Sequence, residues 1–470
     1  MADERERFHQ TWLHSDRAVP SRFVRPLLQF THIEAAGGIV LLAATIAALV
    51  WANAGSGESY QEFWDTHVSF SIGSFHIDES LKHIVNDALM AIFFFVVGLE
   101  INRELVVGEL RDPKRAALPA IAALGGMILP ALIYVAFVSG TGGEAMQGWG
   151  IPMATDIAFS VGVLSLLGSR ISVGAKLFLL ALAIADDIGA IAVIAVFYTT
   201  DLAFGWLLAS LGALVAIAFA SRVGIRSMGF YVVAGIVTWF FVFESGVHAT
   251  LAGVALGFLT PAHAMYSDTE YYRKSKWILS RYDMDAASPR ARERVDHDAL
   301  DLSNIARESV SPLDRLELAL HPWSSFVIVP IFALANAGVR FVDVDLLDAA
   351  ASNVALGVAA GLVVGKSVGI TLATFLAIRF GIGKLPPRSS WREVFGLATL
   401  AGIGFTVSLF ITELAFADPQ IVDRAKIGIF IGSTIAGVAG YLILRRSKTP
   451  DEELAAGREQ LGLSEVSAER

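Results

Sequence analysis

Apolar residues occur along most of this chain in runs of about twenty, separated by short polar stretches. A helix of about 20 apolar residues crosses the hydrocarbon core of a bilayer, so each run predicts a transmembrane helix. Twelve such runs can be marked, which predicts an all-α polytopic membrane protein with about 12 transmembrane helices. The predicted spans lie near 33–53, 82–101, 116–138, 145–167, 175–198, 202–220, 227–243, 246–262, 323–340, 352–378, 392–414 and 423–444.

Two stretches depart from this pattern. Residues 66–77 alternate polar and apolar side chains around a glycine, which predicts a short hairpin outside the hydrocarbon. The segment at about 265–315 is polar and charged, and we expect a cytoplasmic insertion that forms a loop or a surface helix. The predicted organisation is a cytoplasmic N-terminal tail (1–32), a transmembrane domain (33–445) and a cytoplasmic C-terminal tail (446–470).

Lysine and arginine set the expected orientation of these spans, because loops rich in them stay on the cytoplasmic side. The N-terminal tail carries five arginines, and the loop between spans one and two carries no lysine or arginine before Lys82. Cation-rich and cation-poor loops then alternate, with the loop near Arg424 and Lys426 as the weak exception. Both termini are therefore expected in the cytoplasm, as an even number of spans requires.

Composition agrees with a membrane protein and excludes several kinds of chemistry. Hydrophobic residues make up 54% of the chain and charged residues 17%, whereas a soluble domain carries about 25% charged residues. The chain has no cysteine, which excludes disulfides, thiolate metal sites and cysteine nucleophiles. The phosphate-binding pattern GxxxxGK followed by Ser or Thr is absent, so ATP is not the expected energy source. We expect no cofactor and no nucleic-acid partner.

The most informative feature lies inside the fifth predicted span, where Asp186 and Asp187 are adjacent in the run LFLLALAIADDIGAIAVIAVFY. One carboxylate at the centre of a membrane helix costs about 3 kcal/mol even on lenient scales. A pair is tolerated where it faces a watery cavity, carries protons or holds a cation. A purely structural pair is disfavoured, because one packing partner cannot satisfy both carboxylates. We therefore expect an ion or proton pathway here.

Two other predicted spans contain helix-breaking residues beside polar ones. In the fourth span Pro152 precedes Thr155 and Asp156, and in the eleventh Gly402 and Gly404 precede further hydroxyl side chains. Proline removes a backbone donor and clashes with the preceding turn, so the fourth span should break or kink nearby. Unwound backbone at membrane depth is tolerated only inside protein or along a cavity. The alternative for the eleventh span is that its glycines only permit close helix packing.

A single lysine, Lys366, lies about midway along the tenth predicted span, in GLVVGKSVGITLATF. An ammonium group at this depth needs a carboxylate or the negative ends of broken helices. One alternative is that it snorkels to the interface, which its depth disfavours, and another is that burial leaves it neutral.

Six long motifs carry a resemblance; they are NDALMAIFFFVVGLEINREL, ATDIAFSVGVLSLLG, ALAIADDIGAIAVIAVFY, SGVHATLAGV, LHPWSSFVIVPIFALANAGV and GIGFTVSLFI. Through them the chain resembles the NhaA-type sodium/proton antiporter family from about residue 30 to 445. The resemblance implies a multi-pass protein of the bacterial inner membrane with inverted-topology repeats, in which spans three to five mirror spans ten to twelve. It also implies two broken helices that cross. Gly- or Pro-interrupted spans in matching halves mark transporter sites, a rule drawn partly from this same family.

The resemblance assigns roles to individual residues. Asp186 and Asp187 match the family's cation and proton site, which would hold Na+. Asp156 and Lys366 match residues that balance the charged ends of the broken helices, the lysine also pairing with Asp186, and Thr155 matches a polar neighbour of the site. The residues that match the family's pH-regulation groups are Asp87, Glu100, Arg103, Glu104, His248, Glu317 and His321.

The expected activity is export of Na+ from the cytoplasm, with Li+ as a substitute, in exchange for external protons. Such exchange is expected to move net charge and to be regulated by pH. This makes the chain a secondary transporter and not an enzyme. The hairpin at 66–77 resembles the family's dimer contact, so a homodimer through it is a further expectation.

Three other functions would use some of the same residues. An intramembrane aspartyl protease needs two acids that converge on one water, whereas Asp186 and Asp187 are consecutive and point about 100° apart on one helix. A transporter of an organic anion would hold its substrate at broken-helix N-termini, and the three acids disfavour an anion. A passive cation channel would need a ring of acids instead of one occluded pair.

Overall fold

The structure is a computed structural model that describes residues 36–55, 58–72, 75–199, 202–225, 228–282, 288–341, 345–386 and 389–447. Of the two predicted tails, only residues 446 and 447 fall within this part of the chain. The described residues belong to two compact units. The first takes residues from 1–86, 113–198 and 325–470, and the second takes 87–112 and 199–324.

Helices account for all of the regular structure that is described, apart from one hairpin. The elements of the N-terminal half are α1 (Ala36–Asn53), α2 (Glu58–Trp64), β1 (His67–Ile72), β2 (Phe75–Ser80), α3 (Leu81–Val106), α4 (Pro113–Val138), a 3-10 helix (Gly143–Met153), α5 (Ile157–Ser165), α6 (Val173–Phe197) and α7 (Phe204–Val223). Those of the C-terminal half are α8 (Met228–Glu244), α9 (Thr250–Leu259), α10 (Asp268–Ser280), α11 (Pro289–Glu308), α12 (Pro312–Asn336), α13 (Leu346–Ala350), α14 (Asn353–Arg379), α15 (Trp391–Leu400), α16 (Phe405–Ala415) and α17 (Pro419–Arg445).

Eight helices of the described chain are long and apolar enough to cross a bilayer, namely α1, α3, α4, α6, α7, α12, α14 and α17. The pair α15 and α16 adds one more span, bent by 45° at a short break. The remaining predicted spans are α8 and α9, which are apolar but shorter, and the fourth, which is divided between the 3-10 helix and α5. The predicted all-α membrane fold is confirmed, and the predicted count of twelve is approximate because three of these spans are short or broken.

Two helix triplets of the first unit follow the same order, a long helix, a broken span and a second long helix. In one triplet α4 and α6 flank the broken fourth span, and in the other α14 and α17 flank α15 and α16. Glycines let α4 and α14 touch, since a Cβ added at Gly125 would lie 2.4 Å from the Gly369 carbonyl oxygen. A Cβ at Gly126 would lie 3.6 Å from Lys366 Cδ, so the same crossing holds Lys366 against α4.

Polar caps begin the long helices that flank the broken spans. At α6 the Ser172 hydroxyl accepts a hydrogen bond from the Ala175 amide at 3.1 Å. At α17 the Asp418 carboxylate accepts one from the Gln420 amide at 2.8 Å, and Pro419 occupies the first helical position. Such caps satisfy amides that have no partner within the helix, and proline suits a position that needs no amide donor. Each of the two helices then continues through a long apolar sequence.

The second unit is built on close packing of α3 and α9. A Cβ added at Gly257 would lie 2.6 Å from the Gly98 carbonyl carbon, so the two backbones approach as only glycines allow. Asn102 donates hydrogen bonds to the carbonyls of Gly257, Phe258 and Thr260, which closes the C-terminal end of α9.

The long polar segment predicted as an insertion forms two helices, α10 and α11, in the same unit. A capping box at Ser267 and Glu270 begins α10. The Ser267 amide and hydroxyl donate hydrogen bonds to the Glu270 carboxylate, which lowers the pKa of Glu270. Arg281 pairs with Asp298 of α11 at 2.6 Å. Of the two predicted alternatives, a loop or a surface helix, the structure shows surface helices.

The predicted hairpin is present. Strands β1 and β2 pair antiparallel, with His67 opposite Ser80 and Ile72 opposite Phe75. The two residues that join the strands, 73 and 74, lie outside the described residues.

Candidate functional site

The two broken spans of the first unit meet at their breaks. The Asp156 amide, just before α5, donates a hydrogen bond to the Ile403 carbonyl in the gap between α15 and α16. The Ser408 hydroxyl donates to the Ile151 carbonyl at 2.7 Å, and the Ser160 hydroxyl donates to the Leu400 carbonyl at 3.1 Å. Each break thus satisfies polar backbone groups of the other, which is the condition for irregular backbone inside a membrane.

One glycine is required for this approach. A Cβ at Gly404 would lie 2.8 Å from the Ala154 carbonyl oxygen and 2.4 Å from the Ser408 hydroxyl. Gly404 therefore lets the second break contact the first, and the predicted arrangement of two broken helices is observed. Gly402 fits the packing alternative, since a Cβ there would lie 2.3 Å from the Leu362 carbonyl oxygen of α14.

Asp156 lies between the N-terminal ends of two half-helices. Its Oδ1 atom accepts a hydrogen bond from the Phe159 amide of α5 at 3.1 Å. Its Oδ2 atom accepts from the Thr406 amide of α16 at 3.0 Å and from the Thr406 hydroxyl. Helix N-termini carry partial positive charge, so one carboxylate in this position stabilises both. The side chain is buried.

Lys366 connects α14 to the carboxylate pair and to the first break. Its Nζ atom donates to Asp186 Oδ2 at 2.6 Å and to the Thr155 hydroxyl at 3.0 Å. The Thr155 hydroxyl in turn donates to the Ala401 carbonyl at 2.9 Å. Lys366 is 0% exposed, so the snorkelling alternative is wrong.

The carboxylate pair has an oxygen atom to which Lys366 donates no described hydrogen bond. Asp186 Oδ1 is buried and accepts no hydrogen bond from the residues that the structure describes. Asp187 follows on the same helix about 100° around its axis and is 9% exposed. The described ion pair of Lys366 is with Asp186 Oδ2. Carboxylate oxygens are the ligands that hard cations prefer, and they are also the groups that bind protons.

Residues expected to regulate the protein lie on elements of the second unit. Arg103 at the C-terminal end of α3 pairs with Glu317 of α12 at 2.8 Å and lies 3.7 Å from Asp314, which the sequence did not single out. The Glu104 carboxylate accepts a hydrogen bond from the amide of Glu109, five residues further along the chain, at 3.0 Å. The structure therefore brings Arg103 and Glu317 together, and the contact described for Glu104 is local.

The other residues expected to regulate are spread over the same unit. Glu100 is partly buried on α3, and the carbonyl of Asp87 accepts a hydrogen bond from Trp239 Nε1 at 3.2 Å. His248 precedes α9, where its carbonyl accepts from the Leu251 amide at 3.0 Å. His321 is exposed on α12. These positions assign no role to any of these residues.

Sequence reasoning missed a second buried ionic cluster, formed by Lys82, Glu413 and Lys426 in the first unit. Glu413 of α16 lies 2.6 Å from the ammonium of Lys82 and 3.0 Å from that of Lys426. Lys426 was counted as a loop charge, the weak exception to the alternation of loops, but it lies inside α17 and is buried. A charged residue inside each of the last two predicted spans was the available signal.

Known proteins resemble this chain over nearly its whole length. The family model described as Na+/H+ antiporter 1 matches residues 28–444. The Na(+)/H(+) antiporter NhaA of Rhodopirellula baltica is 46% identical over 426 residues, which cover 90% of this chain and 94% of that protein. The proteins of the same name from Oleidesulfovibrio alaskensis and Janthinobacterium sp. are 43% and 46% identical, covering 92% and 90% of this chain and 96% and 93% of theirs.

Proposed function

Because the chain belongs to the Na+/H+ antiporter 1 family and is a Na+/H+ antiporter of the membrane, we propose that Asp186 and Asp187 form the site where the two ions compete. The observation that carries this proposal is the buried Asp186 oxygen that accepts no described hydrogen bond, on the carboxylate whose other oxygen contacts Lys366. A pair of carboxylates takes up either a proton or a hard cation, and neither ion leaves room for the other.

Three neighbouring groups support this pair. Asp156 balances the positive N-terminal ends of α5 and α16. Lys366 holds Asp186 in one orientation and balances its charge when no ion is bound. Thr155 connects that lysine to the backbone of the second break. Transport would then move an ion across a region whose fixed charges are already compensated.

The direction of exchange follows from competition at a site that opens to one side at a time. Protons that arrive from outside displace Na+, or Li+ in its place, and return the empty site. Two protons for each Na+ ion would move net charge, so the membrane potential would drive export. We place the chain in a bacterial inner membrane with both termini in the cytoplasm, as the loop charges favour.

Regulation and assembly are separate parts of this proposal. Arg103 and Glu317, two of the expected regulatory residues, form an ion pair. We propose that pH acts on their side of the second unit. The hairpin β1–β2 is proposed as the contact of a homodimer. The other members of the regulatory set are Asp87, Glu100, Glu104, His248 and His321.

The decisive experiment measures Na+-dependent collapse of an imposed pH gradient in proteoliposomes. Asp187→Asn should reduce the rate to that of protein-free vesicles, because an amide neither releases a proton nor neutralises a cation. Asp298→Asn is the matched control, since Asp298 is also 9% exposed but belongs to the insertion, and it should exchange like the wild type. Wild-type exchange by Asp187→Asn would refute the proposed site.

A further inference from the structure

The cluster of Lys82, Glu413 and Lys426, here called the Glu413 cluster, joins three separate membrane segments. Lys82 lies at the start of α3, Glu413 near the C-terminal end of α16, and Lys426 in the first third of α17. The side chain of Glu413 is 13% exposed and that of Lys426 is 5% exposed. Charged groups at such positions cost free energy unless they are paired, so each member of the cluster depends on the others.

The contacts of the Glu413 cluster are between opposite charges. The Glu413 carboxylate is shared by two ammonium groups, and the carboxylate of Asp423 also lies within electrostatic range of Lys426. These carboxylates and ammonium groups attract one another across three membrane segments. The cluster therefore holds the segments together.

One rigid element connects the Glu413 cluster to the ion site. Helix α16 has 11 residues, so it is about 16 Å long. Its N-terminal end carries Thr406, which bonds to Asp156, and Ser408, which bonds to the first broken span. A shift at the C-terminal end of a helix this short is passed to its N-terminal end.

Polar contacts add to packing at the C-terminal end of α16. Ala415 and Phe416 are buried there, beside an open groove of about 590 Å³ that is lined by Glu144, Gln147 and residues 413–417. In addition, Glu413 pairs with its two lysines, and Glu144 accepts hydrogen bonds from the amides of Ala417 and Asp418.

We propose that Glu413 is a positioning residue for ion exchange. Held by Lys82 and Lys426, it fixes the end of α16 and so keeps Thr406 in register with Asp156 at the crossing of the broken spans. This inference rests on the proposed function, because it assigns Glu413 to the support of the Asp186–Asp187 site. It adds a positioning residue about 10 Å from Thr406 along the helix.

The test separates positioning from stability by comparing one substitution with removal of the whole cluster. Glu413→Gln removes the carboxylate that both Lys82 and the buried Lys426 contact, so the melting temperature in detergent should fall by roughly 5 °C or more. The triple variant Lys82→Met, Glu413→Leu, Lys426→Met removes all three charges, and its melting temperature should return to within about 2 °C of wild type. Its KM for Na+ should nevertheless rise about ten-fold, the lower end of the effect of groups that orient ion ligands.

Two results would overturn the proposal. The first is a triple variant that exchanges Na+ with the wild-type KM and maximal rate, which would make the Glu413 cluster a stabilising feature only. If the triple variant does not insert, Glu413→Asp decides, since it keeps the charge but shortens the side chain by one methylene. We expect a near-wild-type melting temperature and a several-fold higher KM for it, and an unchanged KM is the second overturning result.

Controls distinguish this inference from the proposed function. The pair Arg281 and Asp298 has the same 2.6 Å separation as Lys82 and Glu413 but lies in the insertion. Arg281→Gln with Asp298→Asn should change neither the melting temperature nor the KM. An error in the proposed ion site would instead show as exchange by Asp187→Asn, measured in the same vesicles.

Discussion

Two lysine–carboxylate clusters lie in the first unit, and they differ in how the carboxylate is held. At Asp186 and Lys366, one ammonium contacts one carboxylate oxygen, and the other oxygen accepts no described hydrogen bond. In the Glu413 cluster one carboxylate is held between two ammonium groups, one beside each oxygen. Each cluster contains a pair with a 2.6 Å contact, but the side chain of Lys366 is 0% exposed and that of Lys82 is 30% exposed.

The comparison shows that burial of charged groups does not by itself identify a transport site. A carboxylate with an oxygen that no ammonium contacts can take up a proton or Na+, so its occupancy can change during a cycle. A carboxylate with an ammonium beside each oxygen is already neutralised and serves as a fixed link between helices. The proposed roles of the two clusters rest on this difference in ammonium contacts.

The largest effects are expected from substitution of the two aspartates, and the two variants should differ in thermal stability. Asp186→Asn should abolish or severely impair exchange, as Asp187→Asn should. Only Asp186→Asn should also lower the melting temperature in detergent strongly, because it leaves the buried ammonium of Lys366 without the carboxylate it contacts at 2.6 Å. Transport assays and thermal unfolding of both variants check this, and equal melting temperatures would contradict the assignment of Lys366 to Asp186.

The second prediction compares the lysines of the two clusters. Lys366→Ala should reduce transport and lower the free energy of unfolding by about 3–5 kcal/mol, because Asp186 is left as a buried unpaired charge. Lys426→Met should cost about 2 kcal/mol or less, because Glu413 keeps Lys82 as a partner. Thermal unfolding of both variants in detergent gives the order, and a larger loss for Lys426→Met would reverse the comparison.

The third prediction concerns the net charge that the carboxylate pair carries across the membrane in each exchange cycle. If each carboxylate must be neutralised while the empty site reorients, more than one proton is exchanged for each Na+. A potential imposed on proteoliposomes without a pH gradient should then drive Na+ flux, whose direction reverses with the potential. Na+ flux that ignores the potential at every pH would mean one-for-one exchange, and one of the two carboxylates would have to be structural.

The features of this fold that depend on local sequence were predictable. The apolar runs located the helices, Pro152 located a broken span, and the polar alternation at 66–77 located the hairpin. The adjacent aspartates located the candidate site, because their cost in a bilayer has few explanations. Each of these signals lies within about one span of sequence and needs no knowledge of which helices touch.

The features that depend on tertiary contacts were not predictable. Lys82 and Glu413 lie in the second and the eleventh predicted spans, and only the folded first unit brings them to 2.6 Å. Lys426 was assigned to a loop because a charge near the end of an apolar run normally marks an interface. The partner of Asp156 was missed for the same reason, since Thr406 belongs to the opposite broken span.

The smallest effect is expected from the insertion, which extends the comparison to a region whose charges are more exposed. Arg281 is half exposed in its pair with Asp298, and exposed pairs of this kind contribute about 1 kcal/mol or less. The amide of Met265 donates to the carbonyl of Glu308 at 2.9 Å, so the two ends of the insertion lie side by side and a short linker can join them. Removing residues 271–308 should therefore leave Na+/H+ exchange intact in proteoliposomes, with any change confined to its pH profile. Loss of all exchange by a deletion protein that inserts and purifies normally would show that these helices belong to the transport machinery.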